Sequence, residues 1–410
     1  MSHRFALATI VAIAALACED PTRSLAPVEA PSSSQAGTSG YTITDLGTLG
    51  GWYSYALNLN DYGVAVGVSL TATDVERAFV WIPDGPNGSG TMHDLGTLPG
   101  WDHSGAYAIN NHGDIAGYVL NAAATLARPV RWNRLPSGDY AIEALEHLGG
   151  HKGAANAINS RGDLAGADCP PEKKSHIMIW SKQGNRNLGD MGGAAAIAYD
   201  INDQGQLAVN HHPILGDALY SVAYVWSEQG GFRPMGTLGG TGPRDGATAW
   251  GMNNHGDVVG YSTTRASVDH AFLWTDRGGM EDLGTLGGDY SFAYDITGGG
   301  EVVGESQTVD GAFRGFIWSR GGGMRDIGGL VEGGSSFAGG INGPALIAGG
   351  SEAPNGEYHA VVWTPGAAAA LSAAVASRGL GQTLSPAKAR TGPRVDGRAN
   401  RQERVRILLR

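Results

Sequence analysis

The chain has 410 residues, of which 66 are glycine; 42% of its side chains are hydrophobic and 16% are charged. That hydrophobic share supports a buried core and excludes a wholly disordered chain, while abundant glycine with few charges favours short strands and tight turns over ion-paired helices. The net charge of −11 is uneven: residues 366–410 carry nine Lys or Arg against Asp396 and Glu403, leaving −18 on the rest. No nucleic-acid partner is expected for the acidic body, because a phosphate groove needs a positive surface.

The N-terminus opens with Arg4, a charge-free apolar run from Phe5 to Ala17, and then Cys18. The run is too short to span a bilayer, and its pattern reads as a signal peptide over 1–17. Leu16-Ala17-Cys18 resembles the bacterial lipobox, with Ala15 where leucine is usual. That resemblance implies lipidation at Cys18, an exported protein, and membrane attachment through this N-terminal anchor alone. Residues 18–40, rich in Pro, Ser, Ala and Gly, read as a flexible tether. Residues 366–410, alanine-rich and then basic, read as a disordered tail. Cys169 is the one other cysteine, so stability after export rests on packing and strand pairing.

Between these ends, residues 41–365 repeat themselves. Seven similar runs close on Trp81, Trp132, Trp180, Trp226, Trp274, Trp318 and Trp363, spaced 44 to 51 residues apart. Ahead of each lies a turn in which Asn60, Asn110, Asn159, Asn202, Asn253 and Asn342 recur, with Thr297 in the sixth copy. A glycine follows three residues later in all but the last copy, where Ala345 stands. Asn caps such a turn and Gly accepts positive φ, so a hairpin is expected. A second glycine follows four residues further on (Gly67, Gly117, Gly166, Gly260, Gly304, Gly349), broken by Val209, and is expected to mark close backbone approach where blades crowd towards an axis. The third element is Asp-Leu-Gly-Thr-Leu-Gly-Gly, complete at Asp45 and Asp282 and weaker in the other copies.

Each copy therefore predicts four strands, the content of a propeller blade. An isolated fourth-strand element at 41–47 precedes the first copy, and the seventh copy lacks one. The expected fold is all-β: a seven-bladed β-propeller of four-stranded blades, closed when 41–47 joins the last blade and removes two exposed sheet edges. An open β-solenoid is the alternative. The motif His270-Ala271-Phe272-Leu273-Trp274, followed by Met280-Glu281-Asp282-Leu283-Gly284-Thr285-Leu286-Gly287-Gly288, resembles the extracellular HAF-repeat family. The resemblance covers all seven copies, implies an exported bacterial repeat protein, and carries no catalytic residues with it.

The links after the Gly-Gly pair and between second and third strands vary, as functional loops on a scaffold do. On that face Trp52 and Trp101, with Asp102 and His103 adjoining, suit stacking on a glycan or capture of a protein ligand; packing over the blade rim is the alternative. His151 takes the same place in the third copy. His147, His151, Asp168, Cys169 and His176 are weak candidate metal ligands, since their spacing fits no strong motif. His211-His212 is similarly weak. No cofactor is expected, because no phosphate loop, nucleophile elbow or His-Glu-x-x-His occurs. Arg161-Gly162-Asp163 matches a cell-adhesion tripeptide by its letters, but occupies the repeat's turn. The inner strands offer mostly Asn, with Asp200 and Asp295 as exceptions. An exported, lipid-anchored or extracellular binding module is expected ahead of a polysaccharide hydrolase or lyase or a purely structural envelope component.

Overall fold

The computed structural model describes residues 35–36 and 40–366, apart from 86–87, 172–173, 194, 216–217 and 243–244. The expected signal, the lipidation site Cys18, most of the tether and the basic tail lie outside these residues. Every regular element among the described residues is a β-strand, and each repeat builds an antiparallel sheet in chain order. In the first, Gly50–Leu59, Ala65–Thr71, Glu76–Pro83 and Gly90–Asp94 pair in succession.

The Asn turn joins the first two strands because its side chain supplies what the backbone lacks. Asn60 Oδ1 accepts the N–H groups of Tyr62 and Val64, each at 3.1 Å, and Gly63 takes φ of 76°. Its amide then reaches the neighbouring repeat, donating to the Asn110 carbonyl at 3.3 Å. Asn110, Asn159, Asn202 and Asn253 each donate likewise to the following copy, and Asn342 donates to the Asn60 carbonyl at 2.9 Å. Thr297 interrupts the series, because a hydroxyl that caps Gly299 and Glu301 has no amide left to donate. Thr297→Asn is therefore expected to stabilise the protein by about 1 kcal/mol, read as a higher urea midpoint at unchanged slope. An unchanged or lower midpoint would count against the interrupted ladder as a weak point.

The second, third, fifth and sixth repeats form separate four-stranded sheets, as does the fourth. The longer connection in the fourth repeat adds a short hairpin, Ile214–Leu215 against Ala218–Leu219, that the sequence reading did not foresee. The seventh repeat supplies Ser336–Ile341, Ile347–Glu352 and Tyr358–Pro365, and its fourth strand is Tyr41–Asp45, with Ile43 opposite Trp363. Two details depart from expectation. Gln35–Ala36, assigned to the flexible tether, pairs with Thr42 and Ile43. The first and seventh sheets also touch at one parallel pair, Tyr53 with Tyr358, which merges them into a nine-stranded sheet. Aromatic crowding draws them together there: the Tyr55 and Tyr358 rings lie 5.2 Å apart, and Phe337 stacks on Tyr358.

The core lies between neighbouring sheets. Ala208, Ala223 and Val225 of the fourth repeat, for example, pack against Ala249, Phe272 and Trp274 of the fifth. All seven repeat tryptophans are buried, and Trp132 donates its indole N–H across the interface to the Leu95 carbonyl at 3.0 Å. Serines of the first strand act as clips: Ser54 accepts the Ala360 N–H at 2.8 Å and donates to the Gly47 carbonyl at 2.6 Å. Ser104, Ser291 and Ser336 repeat this arrangement.

The second-strand glycines permit the close backbone approach that was expected of them. A Cβ on Gly67 would sit 1.9 Å from the Tyr55 carbonyl oxygen, and on Gly304 1.9 Å from that of Phe292. The crowding is thus within each sheet, against its own first strand.

The His of the third strand and the Asp of the fourth form a cross-strand pair in two copies. His270 Nδ1 lies 2.9 Å from Asp282 and His359 Nδ1 2.9 Å from Asp45, while Asp45 and Asp282 also accept the N–H of Gly47 and Gly284.

Candidate functional site

Every first strand contains a β-bulge at the same place, where one residue drops out of register with the second strand. A buried alanine precedes each bulge (Ala56, Ala106, Ala155, Ala198, Ala249, Ala293, Ala338), and the Asn-turn position follows three residues after it. The alanine fits where first strands approach one another. The bulged residue itself is turned out of the ladder. These residues are Leu57, Tyr107, Asn156, Tyr199, Trp250, Tyr294 and Gly339. All seven line one cavity of about 120 Å³, joined by Asn58, Asp200 and Asp295 from the position after the bulge.

Three successive repeats give the cavity an aromatic wall. The rings of Tyr199 and Trp250 meet edge to face at 4.9 Å, and those of Trp250 and Tyr294 at 5.8 Å. Glu305 accepts the Tyr294 hydroxyl at 2.8 Å, which fixes that ring. The indole N–H of Trp250 is buried and has no acceptor among the described residues.

Asp200 and Asp295 combine structural bonds with a perturbed charge. Asp200 accepts the Ile201 and Met252 N–H groups, each at 2.7 Å; Asp295 accepts those of Ile296 at 2.8 Å and Ile341 at 2.9 Å. Each carboxyl thus ties its own bulge to a first strand in the next repeat. Burial pushes Asp200 up to about 6 against these two bonds. Burial likewise raises Asp295 to about 7, with the Asp200 charge adding to the effect. Glu305 is pushed up to about 7 by burial. No Lys, Arg or His lines the cavity to offset them.

The residues singled out from sequence lie elsewhere and differ from one another. Trp52 is 50% exposed and meets the Tyr53 ring edge-on. Trp101 is half-buried, packed on the core under the Arg128 guanidinium. Asp102 is exposed, and its carbonyl takes the Arg77 guanidinium. His103 is half-buried in the strand His103–Ile109. The two tryptophans therefore do not form a matched pair.

The third-copy ligand candidates hold places that other copies fill with Thr and Ser. His147 Nδ1 accepts the Gly149 N–H at 2.8 Å, as Thr48 accepts that of Gly50 and Thr285 that of Gly287. Asp168 accepts the Leu148 N–H, as Ser69 accepts that of Leu49 and Ser306 that of Leu286. His151 is exposed, Cys169 contacts the Ser175 hydroxyl, and His176 pairs with Asn187. His211 is buried and His212 half-buried, and burial lowers both imidazoles. The described residues contain no group of three or more His, Cys, Asp or Glu arranged to hold a metal. Arg161 pairs with Asp163 at 2.7 Å inside the Asn159 turn, so the tripeptide is occupied by its own turn.

The sequence offered the inner strands with their Asn, Asp200 and Asp295, but not the bulged aromatics Tyr107, Tyr199, Trp250 and Tyr294 as cavity residues. The available signal was a variable, aromatic-rich position between a constant Ala and a near-constant Asn.

Fold and site together define an all-β, propeller-like repeat protein with a cavity where its first strands converge. No protein-family model matches the chain, and no curated protein does. Among solved structures, a puromycin hydrolase is 13% identical over 75% of this chain, with a TM-score of 0.52. This chain spans 51% of that hydrolase. Virginiamycin B lyase from Staphylococcus aureus is 12% identical over 79% of this chain and 99% of its own, at 0.48. A fucose-specific lectin from Aleuria aurantia is 12% identical over 66% and 94%, at 0.36. At such identities the likeness to the hydrolase concerns the fold alone.

Proposed function

We propose that this chain is an exported binding protein, a closed seven-bladed propeller whose ligand enters the cavity between the first strands. One observation carries the reading: the position facing the cavity varies from copy to copy, while the Ala and Asn around it hardly change. A scaffold position is expected to be repetitive, and a recognition position is expected to differ. Closure of the ring is supported by the pairing of Tyr41–Asp45 with Tyr358–Pro365 and by the Asn342 to Asn60 bond. Export and lipidation at Cys18 rest on the N-terminal pattern, and membership of the HAF-repeat family on the His-Ala-Phe and Asp-Leu-Gly motifs. Mass spectrometry of the mature N-terminus tests lipidation directly.

Ligand screening by calorimetry, using peptides, saccharides and small metabolites, tests the binding site. Binding lost in Trp250→Leu and retained in Trp52→Ala is the expected result. Retention in Trp250→Leu with loss in Trp52→Ala would move the site to the variable loops.

A second reading, hydrolysis of a polysaccharide, is favoured by the presence of Asp200 and Asp295 in one cavity with carboxyls raised towards neutrality. Against it, all four carboxyl oxygens already accept backbone N–H groups. Release of reducing ends by wild type but not Asp295→Asn would favour it.

A further inference from the structure

We infer that the cavity takes a small organic cation, a quaternary alkylammonium group, held against the rings of Tyr199, Trp250 and Tyr294 in the field of Asp200 and Asp295. This rests on the binding reading above and names its ligand class.

Successive aromatic planes turn by 68° and 88° along the wall. Near-perpendicular rings make the sides of a box, whereas a sugar ring is served by one flat platform. A cation is attracted to the faces of such rings by their quadrupoles, most strongly where water is excluded. The acidic groups suit a cation that makes no hydrogen bonds. The oxygens of Asp200 and Asp295 are held by backbone N–H groups of their own and the neighbouring first strands. Above their raised pKa values they are negative poles held in place, and no Lys, Arg or His lines the cavity to neutralise them. Their upward pKa shifts record the cost of that unpaired charge, which a bound cation would relieve.

The test titrates full-length protein at pH 8, above the raised values of Asp200 and Asp295, with choline and, separately, with 3,3-dimethylbutanol, its neutral isostere, following binding by calorimetry. Choline is expected to bind at least about tenfold more tightly than the alcohol, in line with a desolvated cation–π interaction. Asp200→Asn is expected to weaken choline several-fold and leave the alcohol unchanged. Trp250→Leu should weaken choline as well. Equal binding of choline and the alcohol in wild type overturns the cation assignment while leaving the cavity as the site, and this comparison needs no variant to fold. Failure of choline alongside Trp250-dependent binding of another ligand class also overturns it. If no compound in either screen depends on Trp250, the binding reading falls with it.

Discussion

Deletion of residues 41–47 is expected to abolish cooperative folding at 37 °C or lower the thermal midpoint by well over ten degrees. Tyr41, Ile43 and Leu46 are buried, Ile43 to 1% exposure. Losing three such side chains removes about 6 kcal/mol of burial, against a total stability on the order of 5–15 kcal/mol. The deletion also exposes the long edge of Tyr358–Pro365, whose five ladder partners are gone. His359 loses Asp45, which with Glu357 holds its imidazole above the usual range although burial opposes its charge. A raised histidine contributes stability that is present in full below its unfolded pKa and lost as pH rises through its folded one. The truncated chain should lack that acid-side contribution. Circular dichroism melts of full-length and truncated protein decide the matter, and coincident melts would count heavily against the proposed ring.

Asp295→Asn is expected to change the pH profile of stability by roughly 2–4 kcal/mol across its range, from 1.36 kcal/mol per unit over a shift of about three units. The sign follows from the raised carboxyl. Between its unfolded pKa near 4 and its folded value of about 7, the native state holds more protons than the unfolded state. Stability therefore falls as pH rises through that window, and the penalty is complete above it. Asparagine carries no charge to penalise, but has one oxygen for two N–H donors, at a cost of about 1 kcal/mol. Asn58 already meets this condition in the first repeat, accepting the Ile109 N–H at 3.3 Å. Urea unfolding should find the variant less stable than wild type near pH 4.5 and more stable at pH 8. Parallel profiles for the two proteins would show that Asp295 is not a strained acid. Asp200 and Glu305 shift in the same direction, so the difference between wild type and variant isolates Asp295 better than either profile alone.

Much of the strand content was legible because its causes are local. The Asn60 turn is specified by one side chain and one positive-φ glycine, and the strand ending at Trp81 by a short run of aromatic and β-branched residues that is buried from Ala78 to Trp81. The partner of Tyr41–Asp45 was also readable, since a fourth strand was missing in one place and spare in another. What the weak metal candidates do instead was not legible from residue type. His147 and Asp168 replace a Thr and a Ser and accept the same backbone N–H groups, a substitution by hydrogen-bonding capacity that letters do not reveal. Trp52 and Trp101 share a place in the repeat yet differ in burial, because Arg128 of the same sheet covers one of them.

The sequence by itself determined the repeat, four strands in each copy and the hairpin at each Asn, because strand-forming residue types and turn chemistry act over a few residues. Only the tertiary structure decided where the chain can receive a ligand. A bulge breaks the alternation that orients a side chain, so the direction of Tyr199, Trp250 and Tyr294 cannot be counted along the strand. Their joining with Asp200 and Asp295 around one cavity depends on seven first strands, up to 282 residues apart, being brought together by packed sheets and the Asn bonds between them.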